Sequence, residues 1–158
     1  LIAKIRAEIP DVTIRSTLIA GFPGETNEQF EELCEFVNEI QFDRMGCFAY
    51  SQEEGTAAAK LDNQIDEEEK QRRAEIINDA QNIIMQRKNE QKIGNTFEVV
   101  IEGYDRYAEC CFGRTMSDAP EIDPKIFFTI SKQHNLGDYL EVNVDEAMDC
   151  DLIGTEKE

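Results

Sequence analysis

The residues best suited to chemistry in this chain lie near its start. Val12 to Ala20 runs directly into Gly21-Phe22-Pro23-Gly24. Arg15 and Thr17 are polar on a stretch otherwise fit for burial. In a strand, Thr13, Arg15, Thr17 and Ile19 share one face, and Ile14, Ser16, Leu18 and Ala20 share the other. A buried guanidinium must be paired. Two partners suit its planar fork: the carboxylate of an amino-acid-like ligand, or a carboxylate on a neighbouring strand. Gly21 and Gly24 permit close backbone approach to a ligand, and equally serve a plain tight turn. The phosphate-loop glycine patterns are absent. The five cysteines, Cys34, Cys47, Cys110, Cys111 and Cys150, form no C-x-x-C, and His134 is the only histidine. Cys110 and Cys111 would face opposite sides of a strand, so they are poor joint ligands for one metal. The five read as small buried apolar residues, and their odd count fits a reducing cytoplasm.

The elements that must position these residues follow from periodicity. Leu1 to Ile9 reads as the last turns of a helix, ended by Pro10-Asp11, and as an opening cut from something longer. Val12 to Ala20 is rich in β-branched residues and predicts a strand. Thr26 to Gln29 has capping-box spacing, and Phe30, Leu33, Cys34, Val37 and Ile40 then form one apolar stripe. Phe42 to Tyr50 predicts a second strand, so the unit is β-α-β with a parallel pair. One such unit cannot close a sheet, and further strands are expected upstream. Asp66 and Glu69 repeat the cap pattern. A long helix to about Lys92 is expected, with Ile76, Ala80, Ile83 and Ile84 on one side and Gly94 ending it. Beyond Thr96 the period changes. Phe97 to Glu102, Tyr107 to Thr115, Ile126 to Ile130, Tyr139 to Val144 and Asp151 to Ile153 predict five short strands, with Gly103 to Arg106 as a turn. The expected fold is α/β plus all-β: a β-α-β unit, a linking helix, then a small OB-like barrel, with domains at 1–92 and 93–158.

Charge narrows the partners. The 158 residues carry 16 basic and 34 acidic side chains, a net −18. Residues 1–92 hold 11 and 19, or −8; residues 93–158 hold 5 and 15, or −10. Such a field repels a phosphate backbone and favours a basic partner, or simply keeps the domain soluble. No run approaches the length of a membrane span, and the first residues lack the features of a signal peptide.

Two segments, RSTLIAGFPGET at 15–26 and FDRMGCFAYSQEEGTAA at 42–58, resemble the end of the catalytic domain in the radical S-adenosylmethionine (SAM) methylthiotransferase family. The resemblance covers essentially the whole chain. It implies the fifth and sixth strands of a TIM-like radical SAM barrel, a closing helix, and a TRAM barrel. Residues 113–123, GRTMSDAPEID, are similar to the signature of the RimO-type branch. That branch adds a methylthio group to the β-carbon of an aspartate in ribosomal small-subunit protein twelve. The resemblance implies SAM and two 4Fe-4S clusters in the full-length enzyme. It also implies a basic ribosomal protein as partner; the acidic charge opposes nucleic acid, no run suits a membrane, and oligomeric state stays open. Carried onto this chain, Arg15, Thr17 and Gly21 would contact SAM, and Phe48 and Tyr50 would flank its adenine or else fill the barrel core. Arg114, Asp118, Glu121 and Asp123 would belong to substrate docking.

The chain departs from the family at two places. The C-x-x-x-C-x-x-C motif that holds the SAM-binding cluster is absent, as are the three cysteines of the second cluster. The chain by itself is therefore expected to bind no cofactor and to be inactive, and it offers no catalytic acid, base or metal ligand. Gln52 stands where relatives often have proline. Two other functions fit parts of the sequence. A sister-branch tRNA (adenosine) methylthiotransferase would need a basic stripe on residues 93–158, and five scattered basic residues do not form one. A non-catalytic OB-like binding module would leave the half-sheet at the start with exposed apolar edges.

Overall fold

The computed structural model describes residues 1–157. A short helix, α1 (Ile2–Glu8), leads to strand β1 (Arg15–Ala20), helix α2 (Asn27–Ile40) and strand β2 (Arg44–Ala49). The two strands pair in parallel, Arg15 opposite Arg44 and Ala20 opposite Ala49. The α2 start is the capping box its sequence specifies. The Gln29 N–H donates to Thr26 Oγ1 at 3.3 Å, and the Thr26 N–H donates to Gln29 Oε1 at 3.0 Å. At the other end Gln41 takes the left-handed conformation, and its N–H closes the helix on the Val37 carbonyl.

Both helices cover the same face of this sheet. Ala20, Phe30, Val37, Cys47, Ala74, Ile77 and Ile84 form the buried cluster, with Leu18, Met45 and Ala49 against it. Ala74, Ile77 and Ile84 come from the long helix α3 (Glu67–Glu90). Its buried stripe differs from the one expected. Ile84 is buried, but Ile76 and Ile83 are exposed, and Lys70, Arg73 and Gln81 lie inward instead. For Gln81, and for Asn78 beside it, the reason is backbone that must be satisfied where the small sheet ends. Gln81 Nε2 donates to the Phe42 carbonyl at 3.0 Å. Asn78 accepts from the Cys47 N–H and donates to the Cys47 carbonyl, both at 2.8 Å, as a neighbouring strand would. Apolar side chains at those places would strand the polar groups.

The chain divides into two compact units, Leu1–Met85 and Gln86 onward. In the second, β3 (Thr96–Asp105), β4 (Cys110–Thr115), β5 (Ile126–Thr129), β6 (Tyr139–Met148) and β7 (Asp151–Glu156) close into a barrel in the order β3-β4-β5-β7-β6. All pairs are antiparallel except β5 with β7. Val99, Ile101, Cys111, Ile126, Phe128, Val142, Val144 and Leu152 fill it.

The expected turn at Gly103 is instead strand. β3 continues through a register shift between Ile101 and Gly103 to Asp105. The glycine is needed because the Phe112 ring lies over it, where a Cβ would meet the ring at 2.3 Å. The turn comes later, at Arg106 to Glu109. There Asp105 Oδ1 accepts from the N–H groups of Tyr107 and Ala108 at 2.8 and 3.0 Å. Tyr107, expected in a strand, is therefore fully exposed at the turn.

Candidate functional site

In parallel α/β sheets ligands gather at the carboxyl ends of the strands, and here that end is formed by residues 20–26 and 49–51. Gly21 has a φ of +75°, and a Cβ on it would lie 2.4 Å from the Lys70 side chain. Only glycine lets the chain turn there against α3. The turn is held by Glu25. One carboxylate oxygen, Oε1, accepts from the Gly21 N–H at 3.0 Å and from Arg73 Nη1 at 2.7 Å. Arg73 also donates to the Glu25 carbonyl at 3.2 Å, to Asn27 Oδ1 at 2.9 Å and to Glu69 Oε1 at 2.8 Å. Its guanidinium lies over the Phe30 ring, 5.2 Å from the centroid. Arg73 is thus a buried cation with every side of its fork used, joining α3 to the loop that follows β1.

Glu69 is the other end of this network. It pairs with Arg72 at 2.7 Å and with Arg73 at 2.8 Å. Hydrogen bonds from Arg72 and then Arg73 hold its carboxyl down to about 2.

Tyr50 follows β2 and closes the site from the side. Its N–H donates to the Ala20 carbonyl at 2.9 Å, which brings the two strand ends together. Its ring meets the edge of Phe22 at 5.3 Å, and Lys70 Nζ lies 5.6 Å from its centroid. The Tyr50 hydroxyl is buried and has no hydrogen-bond partner among the described residues. A cavity of about 460 Å³ lies beside the same loop, lined by Phe22, Pro23, Gly24, Glu25, Gln29 and Leu33.

The face of the sheet away from the helices carries Arg15, Thr17 and Ile19 from β1, in register with Arg44, Gly46 and Phe48 from β2. Ile19 is 55% and Phe48 63% exposed. The reading of Arg15 and Thr17 as buried is corrected here. Both are exposed, because α2 and α3 cover only the Ser16, Leu18 and Ala20 side. Of the residues expected at the site, Gly21, Phe48 and Tyr50 converge at the carboxyl ends, with Thr17 midway along β1. Arg15 begins the strand, about 16 Å from Ala20 at the usual strand rise. There it lines a separate cleft with Leu1, Ile2, Phe36, Ile40 and Phe42. Glu25, Lys70 and Arg73 were not expected. The contacts that bring Arg73 to Glu25 and Lys70 to Gly21 span more than forty positions in sequence, beyond any local spacing rule.

The residues expected in docking lie on the barrel. Arg114 Nε donates to Glu102 Oε1 at 2.7 Å, across β3 and β4. Asp118 Oδ2 accepts from the Thr115 N–H and hydroxyl at 3.0 and 2.7 Å, and Asp123 Oδ2 from the Ala119 N–H at 2.6 Å. These two aspartates shape the loop after β4, and Glu121 stands exposed at its tip with φ +62°.

All five cysteines are free. Burial pushes the Cys47 thiol up to about 11. Among the described residues no group of three or more His, Cys, Asp or Glu is arranged to hold a metal ion, so these residues do not fit an iron–sulfur cluster. No described helix is long and apolar enough to cross a membrane.

Comparison with known proteins agrees with the motifs. Residues 93–156 match the TRAM domain family. Over 98% of its length the chain is 44% identical to the ribosomal protein uS12 methylthiotransferase RimO of Clostridium botulinum, and covers 34% of that protein. It is 43% identical, over 98% of its length, to the RimO of Chloroherpeton thalassium, covering 36% of it. The RimO of Desulforamulus reducens is 44% identical over 98% of the chain, with 35% of that protein covered. The chain is therefore similar to the carboxy-terminal region of the RimO-type methylthiotransferases, spans about a third of their length, and matches the TRAM domain over residues 93–156.

Proposed function

We propose that the chain supplies the carboxy-terminal part of an enzyme that methylthiolates an aspartate of ribosomal protein uS12. Residues 1–92 would complete a radical SAM barrel, and residues 93–158 would dock the protein substrate. The observation that carries this reading is the 44% identity to RimO across 98% of the chain. The −10 charge of residues 93–158 supports it independently, because it suits a basic ribosomal protein and opposes tRNA.

The carboxyl-end site fits part of a SAM pocket. Thr17 and the Gly21 carbonyl offer polar contacts, and Phe48 offers an exposed ring for an adenine. The buried Tyr50 hydroxyl, which has no hydrogen-bond partner among the described residues, offers a donor to a polar ligand atom. When bound, SAM would supply the radical and the methyl group. The part of the chain's own residues is to bind and orient: Arg73 and Glu25 fix the loop from which Gly21 approaches the ligand. Cluster ligands must come from elsewhere in the enzyme, and the chain alone should be inactive.

A chimera tests this reading. The carboxy-terminal region of the Clostridium botulinum relative is replaced by this chain, and uS12 and tRNA are examined by mass spectrometry. A methylthiolated uS12 aspartate with unmodified tRNA is expected. A folded, cofactor-loaded chimera that modifies tRNA adenosine, or leaves uS12 untouched, would refute it.

A further inference from the structure

The outer face of a small barrel in water should be polar, yet part of this one is not. Phe112, Phe127 and Ile153 are paired neighbours across β4, β5 and β7, and none belongs to the buried core. The Phe112 and Phe127 rings lie 6.0 Å apart, and Lys125 folds its ammonium over Phe112 at 4.1 Å. Next to this row is a groove of about 410 Å³, lined by Ala108, Cys110, Phe127, Met148, Asp149 and Ile153 among others. Met148 is 53% exposed at its rim. The volume suits one or two side chains, not a large cofactor.

The surroundings of the groove are acidic. Asp149 is exposed in the turn between β6 and β7, and Glu109 ends the turn that carries Ala108. Asp151 lines the same wall, with its Oδ1 accepting from the Lys125 N–H at 2.7 Å. Of the nearby cations, Lys125 is engaged by the Phe112 ring, and Arg106 opens the turn that Glu109 ends. An apolar floor within an acidic rim selects an apolar side chain flanked by cationic ones. A second copy of this chain would bring the same negative field against itself.

We infer that the groove between β4, β5 and β7 is an anchor site for a basic protein segment. One apolar side chain seats on Phe127 and Ile153, and neighbouring lysines or arginines meet the exposed Asp149 and Glu109. This rests on the protein-docking reading above and gives that docking a place. It moves the anchor away from the loop after β4, whose aspartates are engaged in holding that loop's own shape.

The test is titration of the whole chain with purified ribosomal protein uS12 by calorimetry, using three variants. Ala108→Trp fills the groove without changing charge. Met148→Lys puts a cation on its rim. Glu98→Lys makes a cation at an exposed position of β3 outside the groove. Ala108 and Met148 are exposed, so both variants should fold, which circular dichroism checks. The first two should weaken uS12 binding about tenfold each, as loss of an anchor does. Glu98→Lys should weaken it about twofold or less, as one exposed charge does. On the unmodified chain, uS12 should shift the methyl resonances of Met148 and Ile153. Ala108→Trp binding uS12 as tightly as the unmodified chain, with those methyls unmoved, would overturn the groove and leave protein docking standing. A groove that served self-association or tRNA instead would also overturn it. No uS12 binding by the unmodified chain would overturn both.

Discussion

The two-stranded sheet and the barrel meet the same demand in opposite ways. Every strand of the barrel has two strand neighbours, so its ladder satisfies itself and its interior can be wholly apolar. β2 has one strand neighbour, and its other side is completed by Asn78 and Gln81 of α3. The barrel therefore depends on shape, and the sheet depends on placed polar side chains. The lesson concerns what buried polar residues are for. In α3 they take the place of a neighbouring strand, and in Arg73 they hold the loop that follows β1.

This contrast can be broken or sharpened by substitution. The largest effect is expected from Phe128→Ala, which empties the barrel core. It should cost about 3–5 kcal/mol by urea denaturation, with amide exchange rising throughout the barrel strands. A smaller loss would mean the barrel interior collapses readily, contrary to the account. In the first unit, Arg73→Met should cost about 3 kcal/mol, because it leaves the mostly buried Glu25 carboxylate without its cation. Exchange at the Gly21 amide should rise most. Unchanged exchange there would mean Glu25 does not need Arg73.

Asn78→Leu comes next, at about 2 kcal/mol, since it leaves the N–H and carbonyl of Cys47 unpaired. Hydrogen exchange at Cys47 would show the loss directly, and a protected Cys47 amide would contradict the strand-substitute role.

The smallest effect is one of pH. In the barrel, the Ser131 N–H holds the Glu156 carboxyl down to about 2, opposed by burial and aided by the Ser131 hydroxyl and His134. A carboxyl depressed in the folded state contributes stability that is fully present above its unfolded value of 4.5. That stability is lost as pH falls from there toward about 2. Glu156→Gln should flatten this acid limb, measured as the urea midpoint against pH. An acid limb unchanged by the substitution would remove Glu156 from the account.

Much of this architecture was legible in the sequence, and the exceptions share a cause. The capping box at Thr26 and Gln29 was legible because its two hydrogen bonds join residues three apart. The parallel β-α-β unit and the five barrel strands followed from period. The stripe of α3 was not, because hydrophobicity alone favoured Ile76 and Ile83 over Arg73 and Gln81. Only the third dimension shows that the Phe42 and Cys47 backbone and the Glu25 carboxylate face that helix. Gly103 looked like a turn because its reason for being glycine, the Phe112 ring, sits on another strand. The strand ends on which Gly21, Phe48 and Tyr50 lie were readable from period. Arg15 was misjudged as buried, since one sequence does not say which face of β1 the helices cover.

The central claim is that the acidic barrel docks a basic protein and not a nucleic acid. Binding of this chain to purified uS12 and, separately, to bulk tRNA, each at two salt concentrations, tests it most directly. The account predicts uS12 binding that weakens as salt rises, and no tRNA binding at either concentration. Binding to tRNA alone would contradict it and place the chain's partner among nucleic acids.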